Sequence, residues 1–187
     1  MDLMDAIYSR RSVRSYTDQP VERPMVESLP QAAVQAPSAL NQQPWAFAVI
    51  QDRTLLAQYS NRVKAHVLKI LKQQAPLYNH REELANPEFN VFYGVDTLII
   101  VCAKPEGVQA EEDCSLAAQN LMPAAAHATG LGTCPIGFAQ PWLNPARTKR
   151  TLAIPLNCMV VFPVIVGYPK GDQPPVARRA PEIVVWK

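Results

Sequence analysis

The feature that most constrains the fold is an uninterrupted apolar run in the middle of the chain. Residues 97–103 read Thr-Leu-Ile-Ile-Val-Cys-Ala, without the polar residues at alternate positions that a half-exposed strand shows. A continuous run of this length, rich in β-branched side chains, is typical of a strand that is buried on both faces. The sequence therefore predicts a buried strand inside a layered domain.

Hydrophobic periodicity predicts the elements around this strand. Helices are expected at residues 2–10, 22–35, 53–75 and 111–129, and further strands at 46–50, 160–168 and 183–186. The resulting order of helices and strands indicates an α+β or α/β layered domain. Because no linker divides the 187 residues, a single domain over residues 1–187 is expected.

Two features do not fit regular elements. Pro30 lies inside a predicted helix, where proline removes a backbone donor and collides with the preceding turn, so a kink or a break is expected there. Pro123 conflicts with its helix in the same way. The polar stretch 76–94 is expected to be loop-rich and to supply a lid or mobile segment, because functional loops gather where the chain is irregular.

Composition excludes several classes of protein. An apolar fraction of 48% and a net charge of +2 are not those of a disordered chain, and the charge is too small to argue for nucleic acid. No apolar run is long enough to cross a membrane and no signal-peptide pattern is visible, so a cytoplasmic protein is expected. The four cysteines form no Cys-x-x-Cys pair, so free thiols and no metal site are expected. No Gly-x-Gly-x-x-Gly sequence occurs, which argues against a dinucleotide-binding fold of that type.

Four segments carry residues suited to holding a ligand. The basic cluster at residues 10–14 contains three arginines, whose planar forks match phosphate oxygens. The loop at 36–45 is rich in proline and amides, and the turn at 130–138 has glycines that let the backbone approach a flat ligand. Arg178 and Arg179 form the fourth segment. Each has a simpler structural explanation when taken alone: a solvated corner, a rigid connector, a helix end or a charged tail.

Taken together and in this order, these segments resemble the FMN-dependent nitroreductase family. The likeness spans nearly the whole chain, and it is the order and spacing of the motifs that make it specific. The matching stretches are 10–16, 36–38 with Asn41 and 43–45, 98–103, 113–132, 135–138, 166–169 and 179–181.

The resemblance implies a three-layer α+β fold, with a central, mostly antiparallel sheet flanked by helices, in an intertwined homodimer that holds two FMN molecules at its interface. It also implies that FMN carries the chemistry, with no catalytic side chain. Electrons then pass from NADH or NADPH to a small-molecule acceptor, a nitroaromatic, a quinone or a flavin, in a ping-pong mechanism.

The resemblance also implies which residues contact FMN. Arg14 is the candidate for a positive charge beside the N1 and O2 edge of the flavin. The full implied set is Arg10, Arg11, Ser12 and Arg14 at the phosphate, ribityl chain and N1/O2 edge, then Pro37, Ser38, Ala39, Asn41 and Gln43 from the loop of the partner subunit, Pro135, Ile136 and Gly137 beside the ring, and Arg178 and Arg179 at the phosphate.

The sequence differs from the family pattern at two places in particular. Ala177 stands where a lysine is often found, and an asparagine and lysine pair that contacts the ring in one subgroup has no secure counterpart, since Asn61 and Lys64 lie too far upstream.

Three alternatives to this function stay open. They are a non-catalytic FMN-binding or storage protein, a specialised dehydrogenase or dehalogenase of the same family, and a nucleic-acid-binding module without flavin. Cys134, beside the predicted flavin turn, is a candidate either for a redox role or for ordinary packing.

Overall fold

The computed structural model describes residues 2–73 and 80–187. Within these residues the helices are α1 (Leu3–Ser9), α2 (Arg23–Ala33), α3 (Arg53–Gln73), α4 (Arg81–Ala85), α5 (Ala110–Thr129), α6 (Gln140–Leu143) and α7 (Ala146–Thr151). The strands are β1 (Trp45–Gln51), β2 (Thr97–Ala103), β3 (Gly132–Pro135) and β4 (Met159–Gly167).

The strands form one antiparallel sheet in the order β1-β2-β4-β3. β2 lies inside this sheet, paired along its whole length with β1 on one side and with β4 on the other. All seven of its residues are buried, which confirms the prediction made from the apolar run.

Alternate residues of β2 face two different hydrophobic cores. Leu98 and Ile100 pack on one face of the sheet, in a core with buried residues of α3, α4 and α6. Ile99 and Val101 pack on the opposite face, in a core with buried residues of α2 and α5. The sheet is therefore the middle layer of three, and the predicted α+β fold is confirmed.

Neither interior proline interrupts its helix. α2 continues past Pro30 to Ala33, and α5 continues past Pro123 to its end. Of the kink or break expected at Pro30, the break is therefore wrong. α2 buries Val26, Leu29 and Ala33 in a shared core with α5, and this tertiary packing outweighs the backbone donor that proline lacks.

The segment expected to be a plain turn after α5 contains strand β3. α5 ends at Gly130, whose φ of 68° is the left-handed conformation common at helix ends. On the outer edge of β3, Ser12 forms a bridge with Thr133, and the Val13 amide donates to the Thr133 carbonyl at 3.0 Å. A Cβ on Gly132 would lie 2.7 Å from Cγ2 of Val13, so glycine is required for this close approach.

Two further expectations concern the lid at 76–94 and the strand at 183–186. The predicted lid at 76–94 falls partly on residues 76–79, which lie outside the described residues. The rest of that stretch contains the short helix α4 and several turns. The strand predicted at 183–186 does not form within this chain, because residues 172–187 contain no helix or strand and carry exposed apolar side chains.

Candidate active site

A cavity of 760 Å³ lies beside β3 and brings together two of the four predicted segments. Arg14, from the basic cluster, lines it together with Cys134 and the turn from Pro135 to Gly137. These segments are far apart in sequence and meet because the chain around Ser12 pairs with β3. On the opposite wall, α3 contributes apolar side chains, among them Val67 and Ile70.

The turn from Pro135 to Gly137 presents backbone to the cavity. The Ile136 amide donates to the Pro163 carbonyl at 2.9 Å, which ties the turn to β4. Within the described chain the amide of Gly137 donates no hydrogen bond, so it is available to a ligand. A Cβ on Gly137 would have no neighbour within 4 Å, so the structure leaves open space over this residue.

Arg14 and Tyr93 form the polar side of the cavity. The Arg14 side chain is exposed, and its Nη1 lies 3.4 Å from the Ser12 carbonyl oxygen. Tyr93 is half-buried and has a φ of 53°, a conformation that non-glycine residues seldom adopt. Burial raises the pKa of Tyr93, while the positive charge of Arg14 acts in the opposite direction. The Tyr93 phenol therefore stays protonated at neutral pH.

Cys134 lines the same cavity but is 1% exposed. Burial raises the pKa of its thiol, although Arg14, a hydrogen bond with Ser12 and Arg10 act to lower it. Since the thiolate is the reactive form of cysteine, a thiol held protonated is a poor nucleophile and redox centre. Of the two roles open to Cys134, these observations favour packing.

His80 and Glu83 also line the cavity, and sequence analysis had not singled them out. Nδ1 of His80 lies 3.0 Å from Oε2 of Glu83, and the imidazole meets the Phe138 ring edge-on at 5.6 Å between centroids. The contact with Phe138 joins residues from distant parts of the chain. Nothing in the polar stretch 76–94 distinguishes these two residues from their neighbours.

Arg10 and Arg11 line a smaller cavity, of 140 Å³, on the other side of the basic cluster. The Arg11 guanidinium donates to the carbonyls of Tyr8 at 2.7 Å, Arg10 at 2.9 Å and Pro174 at 3.1 Å. In this chain Arg11 therefore ties the end of α1 to the C-terminal segment. Its predicted contact with the FMN phosphate stays a prediction, as does that of Arg10.

The loop at 36–45 does not line the larger cavity in its own chain. It is nevertheless held in an unusual shape, with positive φ at Leu40 (52°), Asn41 (55°) and Gln43 (49°). Its anchor is the buried Asp113, whose two carboxylate oxygens each accept from the Ala39 amide at 3.2 Å. A backbone held in this strained conformation, at a cost of about 1–3 kcal/mol per residue, points to a functional loop.

Three of the five loop residues in the predicted contact set are joined by local hydrogen bonds. Ser38 Oγ accepts a hydrogen bond from the Gln43 amide at 3.0 Å, and Asn41 Oδ1 accepts from the Gln43 side chain at 3.1 Å. Pro37 is exposed. The loop thus presents its predicted contact residues away from the cavity of its own chain.

Arg178 and Arg179 lie in the exposed C-terminal segment. Within the part of the chain that the structure describes, neither makes a hydrogen bond or ion pair. The structure therefore does not bring them to Arg10 or Arg14, and their phosphate contacts stay a prediction.

Lys64, considered above as a counterpart of a flavin-contacting lysine, has a structural role instead. It is 7% exposed, and its Nζ donates to the carbonyls of Asn86 at 3.2 Å, Pro87 at 3.1 Å and Phe89 at 2.8 Å. These bonds tie α3 to the segment that leads to Tyr93. Lys64 therefore helps to position a wall of the cavity without reaching into it.

Residues 2–73 and 80–187 contain neither a candidate metal site nor a helix suited to crossing a membrane. Over these ranges no group of three or more His, Cys, Asp or Glu side chains is placed to hold a metal ion. None of the helices described there combines the length and apolar character needed to cross a membrane.

Comparison with known proteins supports the resemblance to the nitroreductase family. The model of the nitroreductase family matches residues 7–168. Protein DrgA of Synechocystis is 33% identical over 197 residues, covering 93% of this chain and 87% of that protein. The FMN reductase [NAD(P)H] of Bacillus subtilis is 25% identical over 195 residues, covering 98% of this chain and 72% of that protein.

Solved structures agree on the fold. A nitroreductase with bound FMN from Bacteroides fragilis superposes with a TM-score of 0.83 over 100% of both chains, at 23% identity. With the family model covering most of the sequence, this chain belongs to the nitroreductase family. The resemblance drawn from its motifs is thereby confirmed.

Proposed function

We propose that this chain is an FMN-dependent oxidoreductase that takes electrons from NADH or NADPH and passes them to a nitroaromatic, a quinone or a flavin. The observation that carries the proposal is the meeting of Arg14 with the turn from Pro135 to Gly137 at one cavity. Those are the two segments whose resemblance to the family implies contact with the flavin ring.

The cavity suits FMN in size and chemistry. Its 760 Å³ falls within the roughly 300–1,000 Å³ usual for small-molecule sites. The apolar wall from α3 suits a flat aromatic ring, while Arg14 and the Gly137 amide offer donors along the cavity edge. The residues present therefore fit this cofactor.

Within this site the protein binds and orients, and FMN when bound supplies the hydride and electron transfer. The Arg14 guanidinium, which lines the cavity, would offer a positive charge to the negative N1/O2 edge of the reduced cofactor. The turn at 135–137, which also lines the cavity, would support the ring through its backbone atoms. No protein nucleophile is required, in keeping with the protonated state of Cys134.

The same cavity serves two substrates in turn. His80 and Phe138 also line the cavity, and its opening to solvent gives a nicotinamide access to the ring. The acceptor then takes the place of the nicotinamide. Sharing one opening in succession is the physical basis for a ping-pong mechanism.

We further propose that the 187 residues act as one domain and that two chains form a homodimer. The strained loop at 36–45 projects the exposed side chain of Leu40, and it completes the partner's flavin site in this arrangement. The apolar residues at 183–186 then cover the partner, which accounts for their exposure in a single chain. The four cysteines are all free, which supports a reducing compartment such as the cytoplasm.

The test starts with the visible spectrum of the purified protein and continues with steady-state oxidation of NADH and NADPH in the presence of menadione. We expect flavin absorption bands, turnover and parallel lines in double-reciprocal plots. A yellow protein without turnover would instead identify the non-catalytic FMN-binding protein. A colourless protein that FMN does not restore would refute the proposal and leave the nucleic-acid alternative.

A further inference from the structure

A second cleft, of 600 Å³, lies between α3 and α7 and shares no lining residue with the proposed flavin cavity. The two cavities use different faces of α3. Val67, Ile70 and Leu71 line the first, whereas Arg62, Ala65, His66 and Lys69 line the second. The second cleft is therefore a separate feature of the molecule.

The cleft is lined by basic side chains from both helices. Arg62, His66 and Lys69 follow the spacing that places residues on one helix face, and Arg147 of α7 joins them. No acidic residue is among its lining residues, and none of the four makes an ion pair in the described ranges 2–73 and 80–187. Several uncompensated positive charges in a concave site attract anions.

An aromatic pair holds one of these charges in place. The Arg62 guanidinium carbon lies 5.6 Å from the centre of the Tyr59 ring, at a distance typical of a cation–π contact. Tyr59 in turn packs on Trp142, with 5.2 Å between ring centres. Since Trp142 also lines the cleft, its wall offers an aromatic surface beside the charges.

The Thr148 hydroxyl adds an uncharged polar group to the wall of the cleft. Thr148 lines the cleft, is only 8% exposed, and its hydroxyl makes no hydrogen bond to any residue in the described part of the chain. Nearby, the Thr151 hydroxyl is already engaged, since it donates to the Arg147 carbonyl at 3.1 Å. Among the described residues no buried side-chain oxygen or nitrogen lacks a partner, so the Thr148 hydroxyl is accessible and can bond a molecule that enters the cleft.

We propose that this cleft binds a small phosphorylated molecule, with a diphosphate group held by Arg62, Lys69, Arg147 and the hydroxyl of Thr148. Guanidinium groups match phosphate oxygens with paired hydrogen bonds, and the hydroxyl adds an uncharged donor. A concave site of 600 Å³ suits a molecule of nucleotide size, and Trp142 provides a surface for a flat group attached to the phosphates.

The test is isothermal titration of FMN-saturated protein with ADP and, separately, with inorganic pyrophosphate. Saturation with FMN occupies the flavin site, so that the phosphates cannot bind there. Tighter binding of ADP assigns the cleft to a nucleotide-like molecule, whereas equal binding assigns it to the diphosphate alone. Both results support the proposed site.

Variants locate the binding. Arg62→Gln and Arg147→Gln should each weaken binding about tenfold or more, because each removes a charge-assisted hydrogen bond. Thr148→Val, which keeps the shape and removes the hydroxyl, should weaken it about threefold. The matched control is Arg150→Gln, because Arg150 is an exposed arginine of the same helix α7 that does not line the cleft. The affinity of this variant for either probe should stay within about twofold of that of the parent protein.

Three results would overturn the proposal: no binding of either probe at millimolar concentration, equal weakening by Arg150→Gln, or displacement of FMN by the probes. The flavin spectrum of each variant serves as the folding check. Because flavin content and diphosphate binding are read separately, failure of this site leaves the proposed oxidoreductase activity untouched.

Discussion

Two apolar segments of this chain have sequences that predict a strand, but only one of them forms a strand and is buried. Leu98-Ile99-Ile100-Val101 lies in β2 and is 0% exposed at every position, whereas Ile183-Val184-Val185-Trp186 forms no strand and reaches 87% exposure at Val184 and Trp186. β2 has a neighbour on both sides within its own chain. The terminal segment has no such neighbour among the described residues, so an apolar run of this kind does not by itself decide whether a strand forms and is buried.

The largest expected effect comes from truncating the buried member of this pair. Ile100→Ala should lower the free energy of unfolding by about 2–5 kcal/mol, because it leaves a cavity between β2 and α3. Urea unfolding measures the loss. The matched change in the other segment, Ile183→Ala, should cost less in dilute protein and more as the dimer forms. Equal costs at all concentrations would remove the distinction between the two segments.

The next effect tests what covers the terminal segment. Trp186→Ala should raise the dimer dissociation constant about thirtyfold, or about 2 kcal/mol, since large aromatic side chains dominate interfaces. Light scattering should give about 41 kDa for the parent protein, twice the 20.7 kDa of the chain, and a shift toward the monomer for the variant. Leu156→Ala, at another exposed apolar residue, is the control. An active, yellow monomer of the parent chain would contradict both the dimer and the partner-loop assignment.

Contacts with the FMN phosphate are expected from two parts of the chain, Arg10 in the N-terminal basic cluster and Arg179 in the exposed C-terminal segment. Arg10→Ala should weaken FMN binding by about 1.5–3 kcal/mol and riboflavin binding far less, because riboflavin lacks the phosphate. Fluorescence titration with both flavins measures the difference. If both flavins lose equal affinity, Arg10 does not contact the phosphate.

Arg179→Ala sharpens the same test, because Arg179 lies in the exposed tail. It should weaken FMN binding in the parent dimer but have little further effect alongside Trp186→Ala, when the tail no longer docks. An effect that persists in that double variant would place Arg179 at the phosphate independently of the dimer.

The sequence predicts the fold best where local pattern and tertiary environment agree. β2 and α5 appear at nearly the predicted positions because long periodic or apolar runs specify both. β3 was missed because four residues, with glycine at the start and proline at the end, look like a turn until β4 pairs with them. Pro30 gave a wrong signal because packing against α5 outweighs a single missing hydrogen bond.

In the candidate site, too, the sequence predicted some of the lining residues and missed others. Arg14 and Gly137 were found through motifs, since their residue types are the ones needed for charge and for backbone access. His80 and Glu83 were not, because their position depends on contacts with Phe138 and with each other that no short pattern encodes. The loop at 36–45 stays a prediction because its expected contact lies in a second chain. The phosphate contact of Arg179 stays one because the structure does not bring the exposed C-terminal segment to Arg10 or Arg14.

The smallest expected effect concerns Arg14, whose position depends on the pairing of residues 12–13 with β3 and not on the tail. Arg14→Ala removes the positive charge at the cavity, so the midpoint potential of bound FMN should fall by about 30 mV for each 1.4 kcal/mol of lost stabilisation. Reduction by the nicotinamide should slow, while reoxidation by a quinone should not. A redox titration and two stopped-flow half-reactions, at saturating FMN, measure these changes.

Arg14→Lys is the matched control, because it keeps the charge while changing its shape, and it should retain most of the potential. The fall in potential should also be the same with and without Trp186→Ala, since Arg14 is positioned by the pairing of residues 12–13 with β3 and not by the C-terminal segment. An unchanged potential in Arg14→Ala would show that the guanidinium does not reach the flavin. Complete loss of the reductive half-reaction with FMN still bound would show that Arg14 contributes more than charge, because a lost charge changes the driving force without abolishing hydride transfer.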